Sequence, residues 1–438
     1  MLFSGFSGGA HPPQKKLTRN SEFVNFPVPG TCYISLLQHI GAPAEPVVAA
    51  GDVVEEGQLI GKAIGVISAD VHASVPGRVL EIKEMQTVYG PGQVVVIESG
   101  GSFNTSKTDS SLDLETLSKE DVLSAIKDAG IVGLGGAAFP TIVKLTPPES
   151  ATIDTLIVNG AECEPYVTVD DMLMRTFADD IIMGVRITLK GLGINRAIIG
   201  VENNKPEAVK SLQAAIKRIN APENISVKAL HTKYPQGAEK QLIYSLTKRK
   251  VPSGGLPMNI GVVVQNVGTI AAIREAVLLK KPLYERYLTV AGSLVENPGN
   301  YKVRIGTMIS EIVNNCGGLK EAPAKILLGG PMCGVSLPSM DIPIVKGTTG
   351  LLFLSEKETF CDTEYRACIR CGKCVSTCPI GLLPCDLGTT VETRRFDLSD
   401  ALNPLDCIMC GTCAYGCPSR RPLTHFIKIA QNHLKTKK

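Results

Sequence analysis

The sequence has few of the residues that mark nucleic-acid-binding proteins. Its 438 residues include no tryptophan, aromatic side chains make up 5% of the total, and the formal net charge is only +3. Proteins that bind nucleic acids combine clustered cations with aromatic side chains on which bases stack. The composition therefore gives no reason to expect a nucleic-acid partner.

The sequence also lacks long apolar runs. A membrane-spanning helix needs about 20 apolar residues in succession, whereas the best runs, 181–192 and 260–273, are short or interrupted by polar side chains. The first 20 residues carry glycines and prolines where a signal peptide would need an unbroken apolar core. We therefore expect no transmembrane segment and no export, and a cytoplasmic chain that reaches a membrane only through a partner.

The 14 cysteines are concentrated near the C-terminal end. Eight of them form the pattern C-x-x-C-x-x-C-x-x-x-C-P twice, as Cys368, Cys371, Cys374 and Cys378, then as Cys407, Cys410, Cys413 and Cys417. Three closely spaced thiolates bind one [4Fe-4S] cluster, and the fourth, before the proline, binds the other cluster in two-cluster ferredoxins. We therefore predict two clusters with exchanged ligands: Cys417 completes the first set of three, and Cys378 completes the second.

Structural zinc and disulfide bonds fit this pattern less well. Zinc takes four tetrahedral ligands, usually from two C-x-x-C pairs separated by a longer loop. Disulfide frameworks belong to small secreted domains, and this chain is long and carries no export signal. The six cysteines outside the repeats are expected to be packed or incidental thiols: Cys32, Cys163, Cys316, Cys333, Cys361 and Cys385.

The chain divides into modules, and we predict a multidomain α/β protein. Residues 1–110 contain short β-rich runs broken by glycine and proline, which is typical of a small β-sandwich. They resemble the barrel-sandwich hybrid of the lipoyl and biotinyl carriers. The tip that carries a modifiable lysine in those carriers reads Ser68-Ala69-Asp70-Val71 here, so we expect no swinging arm.

The remaining residues predict three further modules. Residues 111–285 alternate strands and helices, among them a strand at Thr155–Val158 and a helix near Met172–Leu189, which indicates a mostly parallel, Rossmann-like sheet covered on both faces. Residues 286–322 resemble the β-grasp module of the soluble-ligand-binding (SLBB) family, and residues 323–358, with a strand at Lys325–Leu328, are expected to return to the α/β domain. Residues 359–438 hold the cysteine repeats. Helices predicted near Asp386–Arg394 and Leu398–Leu402 favour an α-helical 2[4Fe-4S] ferredoxin domain.

A glycine-rich loop, Gly130–Thr141, opens the α/β part of the sequence. It contains G-x-G-x-x-A, but it follows a predicted helix rather than a strand, so it is not the ordinary dinucleotide fingerprint. Glycine at these positions still lets backbone N–H groups approach a phosphate or a ring closely. The same composition also suits a plain turn.

The segment Gly135–Thr141, followed by Lys144, resembles the flavin-binding loop of the NADH-oxidising flavoprotein subunit of respiratory complex I. Related stretches follow in the same order, beginning at Asn159, Gly237 and Gln265. The resemblance implies FMN contacts at Gly133, Gly135, Gly136, Lys144, Asn159, Asn266 and Thr269. It places Phe139, Glu162, Glu164 and Glu239 beside the nicotinamide of NAD. The sequence departs from the complex I pattern at Ala161, Ala238 and Gly268.

The opening Gly8–Pro13 and the segment Cys368–Cys374 resemble more closely the C subunits of the Rnf ion-translocating ferredoxin:NAD oxidoreductases. This resemblance implies a subunit on the cytoplasmic face of a bacterial membrane, in which FMN links two-electron exchange with NAD to one-electron exchange with the clusters. The implied partners are the Rnf subunits B, D, G, A and E, with ferredoxin reached indirectly. Two alternatives remain: a cobalamin reductase of metabolosomes, and a cluster-only electron-relay scaffold.

Overall fold

The computed structural model of the chain describes residues 5–103, 113–359 and 364–436. They form a β-sandwich, a parallel α/β domain, a second sheet, and a helical domain that carries the cysteine repeats. The predicted fold class is confirmed. None of the helices in these three ranges is long and apolar enough to span a bilayer.

The N-terminal module is a sandwich of two antiparallel sheets. Strand β1 (Phe23–Asn25) precedes it and pairs with a later part of the chain. The sandwich strands are β2 (Thr31–Ser35), β3 (Glu45–Pro46), β4 (Val53–Val54), β5 (Leu59–Lys62), β6 (Val71–His72), β7 (Gly77–Thr87) and β8 (Gly90–Ser99). One sheet has the order β2-β8-β7-β4, the other β3-β5-β6, and Ile34, Ile60 and Ile97 are fully buried between them. The turn at residues 68–70, which matches the carrier tip, is buried.

The second module is built on four parallel strands. Its elements are α1 (Lys119–Asp128), α2 (Thr141–Leu145), β9 (Thr155–Gly160), α3 (Val169–Thr176), α4 (Ala178–Leu192), β10 (Arg196–Glu202), α5 (Pro206–Ile219), β11 (Asn224–Leu230), α6 (Glu239–Thr247), β12 (Val262–Asn266) and α7 (Val267–Leu279). The strand order is β11-β10-β9-β12, and every neighbouring pair is parallel. Because helices cover both faces, β9 is apolar over most of its length: Leu156 and Val158 enter one core and Ile157 the other.

Local signals in the sequence set the ends of these helices. Ser118 and Asp121 form a reciprocal capping box at the start of α1. Gly193, in the left-handed conformation, ends α4. The sequence predicts one helix over 172–189, but the structure has two, because Phe177 lies between α3 and α4 with φ −118° and ψ 38°.

A six-stranded sheet forms the third module. Besides β1, it contains β13 (Glu285–Ala291), β14 (Gly299–Arg304), β15 (Lys325–Leu328), β16 (Val335–Leu337) and β17 (Gly350–Leu354), with helix α8 (Ile309–Asn315) between β14 and β15. The order is β1-β14-β13-β17-β15-β16. The sequence suggested that residues 323–358 return to the parallel α/β domain, and this prediction is wrong. They complete the six-stranded sheet instead, because β15 pairs antiparallel with β16 and β17.

The C-terminal module is helical, as predicted. It contains α9 (Lys373–Ser376), α10 (Pro384–Glu392), α11 (Thr412–Tyr415) and α12 (Leu423–Thr436), and residues 364–436 include no strand. Helices α9 and α11 begin after Gly372 and Gly411, both left-handed, so the two cysteine repeats share one local geometry. The helix expected at Leu398–Leu402 is instead part of three short 3-10 turns between residues 396 and 406.

An N-terminal strap, residues 8–19, crosses the surface before the β-sandwich begins. The backbone N–H of Gly9 donates to the carbonyl of Thr377 at 2.8 Å, and Ala10 forms a β-bridge with Tyr234. Lys16 donates to the carbonyls of Glu162 and Glu164, both at 2.9 Å. The residues predicted as one N-terminal domain therefore include a segment that links the parallel domain to the cysteine-rich one.

Candidate functional site

A cleft with a cavity volume of about 590 Å³ lies where three modules meet. The glycine loop contributes Gly135 and Gly136, and the six-stranded sheet contributes the turn at residues 328–330. Asn159 and Asn266 line the cleft from the carboxyl ends of β9 and β12. Open α/β sheets bind ligands at this end of their strands.

The glycine loop is closed by its own backbone. Gly133 N–H donates to the Phe139 carbonyl at 2.8 Å, and Ala138 N–H donates to the Gly133 carbonyl at 3.1 Å. Gly136 has φ +102°, and the space where its side chain would begin is open. A β-carbon at Gly135 would instead lie 3.3 Å from the β-carbon of Asn266. The loop therefore presents bare backbone to the cleft, which suits a flat ring or a phosphate.

Two asparagines fix the strand ends that face this loop. Asn266 Nδ2 donates to Asp170 Oδ2 at 2.7 Å, while its Oδ1 accepts from Gly268 N–H at 2.8 Å. Asn159 Nδ2 donates to the Gly237 carbonyl at 2.8 Å. Burial raises the pKa of Asp170, and the bond from Asn266 partly opposes that shift. Asp170 also lines the cleft, and sequence reasoning missed it, because no local motif marks it.

Three residues that the resemblance assigns to FMN do not line the cleft itself. Thr269 is fully buried, and its hydroxyl accepts from Leu134 N–H at 2.8 Å, behind the glycine loop. Gly133 is enclosed by the loop hydrogen bonds. Lys144 Nζ lies 2.8 Å from Glu239 Oε1 and donates to the Val264 carbonyl at 3.3 Å. These residues support the cleft from outside its lining.

The acidic residues expected beside the nicotinamide are in two different environments. Glu162 is buried, and its carboxylate accepts from Asp170 N–H at 2.6 Å and Asp171 N–H at 3.2 Å, at the start of α3. Burial raises the pKa of Glu162, although Lys16 lies 3.9 Å away. Glu239, by contrast, has a side chain that is 39% exposed. Glu239 therefore offers a carboxylate that is open to solvent beside the cleft, whereas Glu162 does not.

Glu164 anchors the turn at residues 332–333, where the Cys333 sulfur lies 3.7 Å from the Met409 carbonyl of the cysteine-rich domain. Its carboxylate accepts from the N–H groups of Met332 and Cys333 at 3.0 and 2.9 Å, and from the Tyr234 hydroxyl at 3.3 Å. Burial raises the pKa of Glu164. The Tyr234 hydroxyl also lies 2.8 Å from the Cys333 sulfur. Phe139, the fourth residue expected near the nicotinamide, is half-buried at the end of the glycine loop and does not line the cleft.

Two buried cations reach the glycine loop from the six-stranded sheet and the segment before β17. Arg286, on β13, donates to the carbonyl of Leu134 at 3.1 Å and to that of Thr348 at 3.0 Å. Lys346 is fully buried and donates to the carbonyls of Gly130 at 2.7 Å and Asp70 at 2.6 Å. The conformation of the loop therefore depends on residues far from it in sequence.

Three cysteines of the second repeat and the last cysteine of the first repeat surround a narrow cavity. Cys378, Cys407, Cys410 and Cys413 line it together with apolar side chains that include Leu382 and Ile427. Backbone N–H groups point at two of the sulfurs, from Leu382 to Cys378 at 3.3 Å and from Met409 to Cys407 at 3.4 Å. The N–H groups and the apolar lining would tune the potential of a cluster bound by these four thiolates, because N–H···S bonds and burial set cluster potentials.

The cysteines of the first repeat are more exposed. Cys374 is buried and shares an apolar core with half-buried Cys417, whereas Cys368 and Cys371 are exposed. Over the described residues, no group of three or more His, Cys, Asp or Glu side chains is arranged to hold a single metal ion. A [4Fe-4S] cluster takes one thiolate on each of its four irons, so it does not need four ligands that converge on one point.

The six other cysteines follow no single pattern. Cys32 and Cys316 are buried, as expected for packed thiols, and Cys163 and Cys385 are partly buried. Cys333 is exposed and lines the cleft, as does Cys163. Cys361 lies outside the described residues. The cleft also contacts Cys410 of the second repeat, so it extends from the glycine loop to a predicted cluster ligand.

Four family models match the chain along its length. They are the RnfC barrel sandwich hybrid domain at residues 4–102, the Nuo51 FMN-binding domain at 126–275, the SLBB domain at 287–336 and a 4Fe-4S dicluster domain at 367–420. The chain therefore carries an FMN-binding domain and a domain for two [4Fe-4S] clusters. The order of the four matches is the order of the predicted modules.

Curated relatives match over almost the whole chain. The C subunit of the Na(+)-translocating ferredoxin:NAD(+) oxidoreductase complex of Acetobacterium woodii is 42% identical over 98% of this chain and 97% of its own length. Its counterpart in the proton-translocating complex of Clostridium ljungdahlii is 42% identical over 98% of this chain and 94% of its own length. The counterpart in an ion-translocating oxidoreductase complex of Rhodobacter capsulatus is 40% identical over 88% of this chain and 74% of its own length.

Two solved structures share the fold. A chain of the NAD+-reducing [NiFe]-hydrogenase in the H2-reduced state aligns with a TM-score of 0.53 at 19% identity, over 76% of this chain and 64% of its own. A chain of the same kind of hydrogenase in the air-oxidized state aligns with a TM-score of 0.51 at 21% identity, over 68% of this chain and 56% of its own. At these identities the likeness concerns the fold alone.

Proposed function

This chain belongs to the family of C subunits of ion-translocating ferredoxin:NAD(+) oxidoreductase complexes, and we propose that NAD(H) exchanges electrons with the complex on this chain. The observation that supports this most is the cleft itself, which joins the glycine loop of an FMN-binding domain to Cys410 of a cluster-binding domain. Neither a cobalamin reductase nor a cluster-only scaffold is favoured, since relatives that match almost end to end are C subunits.

We assign FMN to the glycine-loop end of the cleft. Gly135, Gly136, Asn159 and Asn266 would contact it, because all four line the cleft around open backbone. Gly133 and Thr269 would act from behind by holding the loop, and Lys144 would act through its ion pair with Glu239. Bound FMN accepts two electrons as a hydride and releases them singly.

The nicotinamide nucleotide would enter beside Glu239, Glu162, Glu164 and Phe139. Glu239 could meet the nucleotide directly, since its carboxylate is partly exposed. The Glu162 and Glu164 carboxylates accept backbone N–H groups, so they would shape the pocket wall rather than bind through free oxygens. Phe139 would act through the loop that it closes.

The cluster ligands would be the eight cysteines of the two repeats, with the fourth of each exchanged. Cys378 of the first repeat lines the same cavity as Cys407, Cys410 and Cys413, which supports this exchange. The other half of the exchange, Cys417 with Cys368, Cys371 and Cys374, follows from the spacing of the repeats. Along the electron path, the flavin cleft would be followed by the cluster on the Cys410 side and then by the cluster on the Cys368 side, because Cys410 lines the cleft.

The chain works within a multisubunit complex, as its relatives do. We propose that its partners are the Rnf subunits B, D, G, A and E, at the cytoplasmic face of the cell membrane, with ferredoxin reached through them. The described helices include none that could span a bilayer, so ion movement would fall to those other subunits.

Stopped-flow absorbance on FMN-replete, anaerobic protein tests this assignment. NADH should bleach the flavin, and electrons should pass on to an artificial one-electron acceptor. Replacing one ligand in each repeat, with Cys371→Ser and Cys410→Ser together, should leave flavin bleaching in place and stop transfer to a protein acceptor.

Cys32→Ser, in the β-sandwich core, is the control for loss of a thiol away from the clusters. Failure of NADH to bleach FMN in intact protein, together with NAD reduction by the complex at another of its polypeptides, would show that the NAD site is not on this chain.

A further inference from the structure

The two predicted cluster sites differ in how far they lie from solvent. The second-repeat cysteines Cys410 and Cys413 are buried, and Cys410 faces the cleft. In the first repeat, every residue from 364 to 373 is exposed, including Cys368 and Cys371. The cluster farther from the flavin cleft therefore has its ligand loop at the surface.

This exposed stretch, the cationic loop (Glu364–Lys373), has a defined chemistry. It carries three cations, Arg366, Arg370 and Lys373, against one anion, Glu364. Among the described residues, the ion pairs made by cations of residues 364–436 are Arg395–Asp397 and Arg421–Glu392, so none of the loop cations takes part in one.

Apolar side chains lie within the same loop. Ile369 is 67% exposed and Tyr365 is 47% exposed, and they flank the exposed ligand Cys368 in sequence. An apolar centre ringed by charge is the usual composition of a protein-binding surface. The loop cations, which make no ion pair among the described residues, are interleaved with these apolar residues in the sequence and supply the charge.

We propose that the cationic loop is the docking surface for an acidic electron-transfer protein that carries a one-electron centre near its surface. This rests on the proposed function, since it assumes a cluster at Cys368, Cys371 and Cys374. One electron crosses the contact, so the partner is oxidised by one as the cluster is reduced by one, or the reverse, and no bond or proton changes. A redox protein is favoured over a lipid surface because two exposed cluster ligands lie within the loop.

Charge complementarity at such a surface acts chiefly on the association rate. Electrostatic steering raises association rates by roughly 10–1,000-fold, and salt screens it. Reversing the three loop cations should therefore slow encounter with an acidic partner strongly at low ionic strength and only weakly at high ionic strength. Electron transfer to a small neutral acceptor should not change.

The test compares two triple variants of the full chain, carrying FMN and iron. The loop variant is Arg366→Glu, Arg370→Glu and Lys373→Glu. The control is Arg394→Glu, Lys428→Glu and Lys435→Glu, which reverses three exposed cations elsewhere in the same domain. Each protein is reduced with dithionite, mixed with an acidic [2Fe-2S] ferredoxin or with neutral menadione, and followed by stopped-flow absorbance at several salt concentrations.

The loop variant should lose about 10-fold or more of its second-order rate with ferredoxin at low salt, while menadione reduction, iron content and the control variant stay as in wild type. An unchanged ferredoxin rate, or an equal loss in the control, would overturn the proposal. So would a loop variant that keeps its ferredoxin rate and instead loses binding to phosphatidylglycerol vesicles, which would identify a membrane surface. Because dithionite supplies the electrons, a failure of NADH to reduce FMN would count against the proposed function and not against this surface.

Discussion

Replacing Lys346 with methionine should destabilise the junction between the β-sandwich and the glycine loop. The Lys346 amine lies 2.6 Å from the Asp70 carbonyl and 2.7 Å from the Gly130 carbonyl, and the residue is fully buried. Methionine has a similar shape but donates no hydrogen bond. A buried carbonyl left without a donor costs about 1–3 kcal/mol. The two carbonyls together should therefore lower the free energy of unfolding by about 2–6 kcal/mol when the amine is neutral in both the folded and the unfolded chain. Near pH 7 the loss should be smaller, because methionine avoids the cost of burying the amine.

The same lysine predicts a dependence of stability on pH. Burial lowers the pKa of Lys346 from 10.5 to about 7. A neutral amine still has two N–H groups, which match its two carbonyl acceptors. Between pH 7 and 10.5 the unfolded chain binds more protons at this residue than the folded chain does, so its contribution to stability rises with pH. Lys346→Met should lack that rise.

Chemical denaturation, followed by FMN fluorescence and far-ultraviolet circular dichroism from about pH 7 to about pH 9.5, measures both effects. Lys83→Met is the control for loss of a lysine ion pair, because Lys83 lies in the same β-sandwich and pairs with Glu81 at 2.7 Å while both side chains are exposed. An ion pair between two exposed side chains contributes little to stability. The reasoning is refuted if, at the alkaline end of this range, Lys346→Met loses no more stability than Lys83→Met, or if the pH dependence of the two variants is the same.

Two further predictions concern the cofactors. Cys378→Ser should damage the cluster held by the second repeat more than that of its own repeat, because Cys378 lines the second-repeat cavity; electron paramagnetic resonance that shows selective loss of the Cys368-side cluster would contradict this. Gly135→Val should abolish FMN binding, because its side chain would press on Asn266, while about eight irons remain, four per cluster. Loss of iron together with FMN, measured by assay of both, would instead mean a folding defect.

The features predicted well from sequence are those with short repeats or regular periodicity. The spacing of the cysteine repeats predicts a two-cluster module, and the family comparison confirms it. The apolar strand Thr155–Val158 is predicted to lie in a parallel sheet, and it forms most of β9. In both cases the signal lies within a few residues of the structure that it specifies.

Features that depend on distant pairing were missed. The strand Lys325–Leu328 is predicted correctly, but its sheet is not, because an isolated apolar run carries no information about its neighbours. Strand β1 pairs with β14, which lies far away along the sequence. Asp170, Arg286 and Lys346 lie in no sequence motif, yet each supports the cleft through a hydrogen bond to a residue far away in the sequence. Such contacts become visible only when the whole chain is folded.

The N-terminal strap implies an order of events during synthesis of the chain. Its contacts at Gly8 and Gly9 are with Cys378 and Thr377, which lie far along the sequence. At about 5–20 residues per second, the ribosome makes these partners roughly 20–70 s after the strap itself. The strap must therefore wait for partners that are made hundreds of residues later. Since those partners belong to the first cysteine repeat, the strap cannot dock before that repeat has been synthesised.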